Sequence, residues 1–92
     1  MTSYNFEVIC KNALIKELKE KYNETLTIQD LHLVWFTKAL KNYKCVICDL
    51  LPTNQRIYEC TYNGEKDELY VDIYSKEHNI KVDSKDFSTI VK

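Results

Sequence analysis

The sequence predicts an α+β fold in which one N-terminal helix packs on one face of a four-stranded antiparallel meander sheet. Apolar residues recur at three- and four-residue steps over residues 4–22, as they do on one side of a helix. Several β-rich runs then follow between residues 31 and 74. Two of these runs flank Asn63-Gly64, a dipeptide that accepts positive φ at both turn positions and so predicts a β-hairpin.

The composition is that of an ordinary globular protein. The 92 residues, 45% hydrophobic and 29% charged, are expected to form one domain over residues 1–92. The longest nearly apolar run, residues 45–51, is too short to cross a bilayer. The N-terminus lacks the basic-then-apolar order of a signal peptide. We therefore expect a cytoplasmic protein with no membrane contact.

The N-terminal helix is expected over residues 4–22. Thr2 or Ser3 can cap its start by accepting a hydrogen bond from a free backbone N–H, and Asn23 and Glu24 end it. The apolar side of this helix would consist of Phe6, Ile9, Cys10, Ala13, Leu14, Leu18 and Tyr22.

The first strand is expected over residues 31–39, after a connector. In the connector, Thr27 and Asp30 have capping-box spacing, which predicts a single helical turn. One side of the strand would carry Leu31, Leu33 and Trp35, and the other His32, Val34 and Phe36. Both sides are largely apolar, which predicts a central strand covered in part on both faces.

Three further strands complete the predicted sheet. The second covers residues 45–51, residues 52–55 have the composition of a turn, and the hairpin supplies the third and fourth strands. One side of the last strand carries the aliphatic side chains Leu69, Val71 and Ile73. The opposite side, which faces solvent if the aliphatic side meets the helix, carries Tyr70, Asp72 and Tyr74. Residues 83–92 would form either a short helix or a fifth strand.

The four cysteines are the residues most suggestive of a metal site. Cys45 and Cys48 are three apart in a predicted strand, so they face opposite ways, whereas a zinc site needs both thiolates to converge. With Cys10 and Cys60 a four-thiolate site is formally possible, but small buried thiols are the better interpretation. We therefore expect no metal and no cofactor.

No set of residues predicts catalysis. His32 and His78 are the only imidazoles, and nothing in the sequence brings either of them to a nucleophile. Glu59 would lie near Asp67 or Glu68 across the hairpin, where carboxylates simply meet solvent. We therefore expect a protein that is not an enzyme and has no catalytic residues.

The charge distribution argues against nucleic acid as the main partner. The net charge of −1 excludes a broad attraction to phosphate. Lys38, Lys41 and Lys44 surround the first hairpin turn together with Tyr43, and we interpret them as a solvated tip that protects the sheet from edge pairing. Residues 56–77, in contrast, are mildly acidic.

Three segments resemble a known family. They are Asp-Leu-His-Leu-Val-Trp at residues 30–35, Lys-Ala-Leu-Lys-Asn at residues 38–42, and the Tyr-Asn-Gly hairpin that leads into an acidic, aromatic strand at residues 58–72. They are similar to small, functionally uncharacterised proteins encoded by phages and prophages of Gram-positive bacteria, over roughly residues 5–76. The resemblance supplies no activity and no functional residues. It implies a phage accessory gene, and the small products of such genes frequently bind a host protein.

The first hypothesis is therefore a binding module without catalytic activity. It would be a phage-encoded inhibitor of a host protein, such as a CRISPR effector or another defence nuclease, acting by protein–protein contact in the host cytoplasm. The contacts would come from Glu59, Glu68, Tyr70, Asp72 and Tyr74. A second hypothesis is a counter-defence protein that sequesters a nucleotide signal, with Lys38, Lys44 and Arg56 as the available cations. A weak nucleic-acid-binding accessory protein and an enzyme with an unrecognised site are further alternatives, and the oligomeric state is open.

Overall fold

A computed structural model describes residues 2–51, 56–75 and 80–90 and has the predicted α+β architecture. Four consecutive strands form one antiparallel sheet in the order β1-β2-β3-β4, and a long helix, α1, packs on one face of it. The elements are α1 (Ser3–Tyr22), β1 (Leu31–Ala39), β2 (Asn42–Asp49), β3 (Arg56–Asn63) and β4 (Glu68–Ser75). The turn predicted at residues 52–55 and the loop histidine His78 lie outside the described residues.

Helix α1 begins and ends where its sequence predicts. The Thr2 hydroxyl accepts a hydrogen bond from the backbone N–H of Asn5 at 3.1 Å, which caps the start. Asn23 takes the left-handed conformation (φ 55°) that ends the helix. The side chains that α1 buries against the sheet are Phe6, Cys10, Leu14 and Leu18. Ile9 and Tyr22, predicted on the apolar side, are about half exposed, because the contact with the sheet is narrower than the apolar arc of the helix.

The connector after α1 contains the predicted helical turn. Residues Ile28–Asp30 form one turn of 3-10 helix, and the carboxylate of Asp30 accepts a hydrogen bond from the backbone N–H of Thr27 at 2.8 Å. The backbone carbonyl of Asp30 then accepts from the N–H of Leu50 at 2.8 Å, which joins the connector to the chain that leaves β2.

Strand β1 departs from the prediction in two ways. It lies at the edge of the sheet, and its outer face is exposed rather than covered. An extra residue between Leu33 and Trp35 interrupts the pairing with β2. This bulge turns Phe36 towards α1 and Trp35 away from it, which is the reverse of the predicted assignment. Simple alternation cannot reveal a bulge, because one inserted residue exchanges the two faces of everything that follows.

The second hairpin is present, but its turn differs from the predicted two-residue Asn-Gly turn. Asn63 pairs with Glu68, so the loop has four residues, 64–67. Asp67 holds the positive φ (55°), whereas Gly64 does not have a positive φ. The Asn63 side chain accepts a hydrogen bond from the backbone N–H of Glu65 at 3.1 Å, as asparagine commonly does at the start of a turn.

Gly64 is required by a close approach between the two hairpin turns. A Cβ added to Gly64 would lie 2.2 Å from the backbone carbonyl oxygen of Lys41. The N–H of Gly64 also donates to the side-chain oxygen of Asn42 at 3.2 Å. The loop of the second hairpin is therefore seated on the turn of the first.

We expect Gly64→Ala to lower the free energy of unfolding by roughly 1–3 kcal/mol, the usual cost of forcing extra atoms into a filled space. Urea denaturation of the two proteins measures the difference. Glu65→Ala is the matched control, because the side chain of Glu65 is exposed in the same loop and its loss should change stability by less than about 0.5 kcal/mol. Equal stability of wild type and Gly64→Ala would show that the two turns are not in contact.

The core between α1 and the sheet contains a fully buried phenol, that of Tyr58. Its hydroxyl donates to the Asp49 carboxylate at 3.1 Å. Burial and the adjacent negative charge of Asp49 raise the pKa of Tyr58 to about 12. The phenol must therefore stay protonated for this contact to survive.

We expect Tyr58 to make the protein less stable at alkaline pH. A tyrosine in the unfolded chain ionises near pH 10, roughly two units lower than Tyr58 in the folded protein. The contribution of the protonated Tyr58 to folding stability is therefore complete below about pH 10. That contribution is lost as the pH rises through 12. Tyr58→Phe should be less stable at pH 7 by roughly 1–2 kcal/mol, and its stability should fall less steeply than that of wild type between pH 10 and 12. Denaturant titrations at several pH values test this; parallel curves would contradict it.

The C-terminal segment forms the helical alternative rather than a fifth strand. One 3-10 turn at Ser84–Asp86 continues into a short helix, α2 (Phe87–Ile90), and Val91 and Lys92 lie outside the described residues. Within the described ranges, none of the helices combines the length and the apolar character needed to cross a bilayer.

Candidate binding face of the sheet

The face of the sheet that points away from α1 is the candidate functional site, and β4 shows its orientation. Leu69, Val71 and Ile73 are partly buried against the core below α1. Tyr70, Asp72 and Tyr74 are exposed on the other face. The predicted orientation of the last strand is therefore confirmed.

Cross-strand pairing arranges the outward side chains in rows that run across all four strands. The first row consists of His32, Cys48, Ile57 and Tyr74. The second row consists of Trp35, Val46, Glu59 and Asp72. The third row consists of Thr37, Lys44, Thr61 and Tyr70. We call these three rows, with the next pair Asn63 and Glu68, the open face. All five residues predicted to contact a partner lie on it, and their role in binding stays a prediction.

Large apolar side chains are exposed across the open face. Trp35 is 49% exposed, Ile57 50%, Tyr70 49% and Tyr74 51%. Exposed aromatic and aliphatic groups that share one face are characteristic of binding surfaces, because a partner that covers them removes apolar area from water. Sequence patterns did not identify Trp35 or Ile57 as part of this surface. The bulge in β1 reverses the orientation of Trp35. Ile57 faces outward because its neighbour Tyr58 faces α1 and side chains alternate along β3.

The charge of the open face is concentrated on its β3–β4 side. The Glu59 carboxylate lies 2.9 Å from the Nζ atom of Lys44 on β2, and this hydrogen bond raises the pKa of Lys44. Asp72 is the direct partner of Glu59 on β4. The Tyr70 hydroxyl donates to the Glu68 carboxylate, which raises the pKa of Tyr70. Among the described residues of this face, three carboxylates accompany one lysine, so this side carries a local negative charge.

The open face does not assemble the pairs that acid–base or nucleophilic catalysis needs. Glu59 faces Asp72, not Asp67 or Glu68 as the sequence suggested, because the four-residue loop changes the pairing. His32 lies directly opposite Cys48, but among the described residues no hydrogen bond joins them and no third group orients the imidazole.

The cations proposed for phosphate binding point in different directions. Lys38 lies over the ring of Tyr43, 5.3 Å from its centroid, on the side of the sheet that faces α1. Lys44 is on the open face, and Arg56 sits at the far end of the sheet, where it pairs with Glu24. These three cations, all among the described residues, therefore lie in separate environments within one chain. In this arrangement they do not form one pocket for a nucleotide.

The two cysteines of β2 point to opposite faces, as their spacing predicts, and three of the four cysteines form a cluster that the spacing does not predict. Cys45 is buried towards α1 and Cys48 is partly exposed on the open face, so the two face opposite ways. Cys10 from α1, Cys45 from β2 and Cys60 from β3 are all buried, and their sulfur atoms lie within 4.8 Å of one another. The sequence missed this cluster because its members come from three elements. The signal that identifies it is the pairing register, which makes Cys45 and Cys60 direct partners.

Comparison with known proteins identifies a family but not a function. A model of DUF6275, described as a family of unknown function, matches residues 7–84, so the chain belongs to that family. Searches of curated proteins and of solved structures gave no match.

Proposed function

We propose that this DUF6275 protein is a non-enzymatic binding module that recognises a partner protein with its open face. The observation that supports this most strongly is the exposed aromatic and aliphatic surface beside a cluster of carboxylates. Tyrosine and tryptophan supply large contact areas at a low cost in conformational entropy, and they are frequent at the centres of protein interfaces.

The open face supplies a large part of the area that a specific complex buries. Four strands about 4.8 Å apart and eight residues long at about 3.4 Å per residue span an area on the order of 500 Å². A standard interface buries about 800 Å² on each partner. The open face and the side chains at its rim therefore provide most of the surface that a stable partner requires.

The chemistry of the open face indicates the character of the partner. A matching surface would place lysine or arginine against Glu59, Glu68 and Asp72, and apolar groups against Trp35 and Tyr74. Nucleases have such basic surfaces where they bind the phosphate backbone. Together with the phage resemblance, this leads us to propose a phage-encoded inhibitor that covers a nucleic-acid-binding surface of a host defence nuclease, such as a CRISPR effector, in the host cytoplasm.

Phage infection of bacteria that carry a defined defence system tests the proposal. Expression of the protein should restore plaque formation on the defended strain and leave plaque numbers on an undefended strain unchanged. The purified defence nuclease should bind the protein directly, with an affinity that decreases as salt rises. If none of a panel of defence nucleases binds and plaque numbers do not change, the proposed function is wrong.

Titration calorimetry with cyclic nucleotides distinguishes the competing nucleotide-sequestering function. We expect no heat of binding, because Lys38, Lys44 and Arg56 do not converge in the chain. Submicromolar binding of a cyclic nucleotide would replace the protein-binding proposal.

A further inference from the structure

The thiol cluster of Cys10, Cys45 and Cys60 lies in the core, on the opposite face of the sheet from the proposed binding surface. All three side chains are fully buried. Cys45 and Cys60 are direct cross-strand partners at the centre of the sheet, and Cys10 reaches them from α1. Three thiols from three different elements thus meet at one point between the two layers.

The distances fit a three-coordinate ion. A thiophilic ion about 2.3 Å from three sulfur atoms holds them about 4.0 Å apart in a planar site and about 3.4 Å apart in a pyramidal one, which is the geometry of a trivalent ion with a lone pair. The three sulfur atoms here lie within 4.8 Å of one another. Side-chain movements of less than about 1 Å would therefore close the site around an ion, with no change of fold.

The donor set indicates which class of ion fits. All three donors are soft sulfur atoms, and no imidazole or carboxylate of the described residues joins the cluster. Cys48, the remaining cysteine, faces the other side of the sheet. Structural zinc takes four ligands, so a soft ion that is satisfied by three sulfurs fits these residues better.

The net charge of the complex with three thiolates distinguishes the candidate ions. Three thiolates leave a net charge of about −2 on a monovalent ion and about −1 on a divalent one, and a buried net charge is costly. A trivalent ion gives a neutral complex. We propose that Cys10, Cys45 and Cys60 form a site for a trivalent thiophilic ion of the arsenite class. Arsenous acid would exchange three As–O bonds for three As–S bonds, with each thiol proton leaving in a water molecule and no change of oxidation state.

Arsenite titration of the reduced, full-length protein under anaerobic conditions tests the proposal. We expect one arsenic per chain by native mass spectrometry and a higher melting temperature, because ligation joins α1 to β2 and β3. Cys48→Ser is the matched control and should bind as wild type does. Cys10→Ser, Cys45→Ser and Cys60→Ser should each bind at least 100-fold more weakly.

A measurement on the wild type alone covers the case in which a buried serine prevents folding. X-ray absorption at the arsenic edge of the folded, arsenic-loaded protein should report three sulfur neighbours. Fewer than three sulfurs, dependence on Cys48, or no binding by the folded wild type would overturn the proposal. The outcome is independent of the proposed protein-binding function, because the open face contributes no ligand.

Discussion

Replacing Tyr70 and Tyr74 together by alanine should abolish partner binding and leave the fold intact. Both rings are about half exposed on the open face of β4, so their loss removes contact area without opening the core. Truncating an aromatic residue at the centre of an interface typically costs about 2 kcal/mol or more. Two such losses would weaken the complex by roughly three orders of magnitude.

Binding measurements with the partner test the loss of affinity, and far-UV circular dichroism of the free variant tests whether the fold is intact. Tyr4→Ala is the matched control, since Tyr4 is 70% exposed on α1, away from the open face. The control should bind as wild type does. Unchanged affinity of Tyr70→Ala/Tyr74→Ala for the partner would show that this surface of β4 does not carry the contact.

Phe6→Ala should lower the stability of the protein more than either Gly64→Ala or Tyr58→Phe. Phe6 is 1% exposed and packs against Tyr43 and Phe36, with ring centroids 5.4 and 5.9 Å away. Replacing a buried phenylalanine by alanine typically costs about 3–5 kcal/mol, which approaches the whole stability of a marginal small domain. The melting temperature should therefore fall by on the order of 20 °C.

Thermal denaturation compares Phe6→Ala with Tyr4→Ala, an aromatic substitution two residues earlier in the same helix. The exposed Tyr4 should change the melting temperature by only a few degrees. Similar small effects of both substitutions would mean that the N-terminal half of α1 does not pack on the sheet as described.

Local patterns in the sequence were sufficient to predict the elements and the orientation of β4. The helix was predictable because Phe6, Leu14 and Leu18 recur with helical spacing between clear capping residues. The faces of β4 were predictable because its aliphatic residues alternate strictly with polar or aromatic ones. Both patterns depend only on neighbours within one element.

Features that depend on two or more elements were not predictable from such patterns. The bulge at β1 reversed Trp35 and Phe36, and it is visible only in the pairing with β2. The Asn-Gly pattern predicted that Gly64 supplies a positive φ, whereas its role is to let the backbone of Lys41 approach. The thiol cluster likewise required the register that pairs Cys45 with Cys60 beneath Cys10.

The most direct measurement of the central claim is hydroxyl-radical footprinting of the protein with and without its partner. Formation of the complex should protect Trp35, Tyr70 and Tyr74 from oxidation, while the exposed Tyr4 reacts at the same rate in both states. Unchanged oxidation of Trp35, Tyr70 and Tyr74 in the complex would contradict the proposal that the open face of the sheet binds the partner.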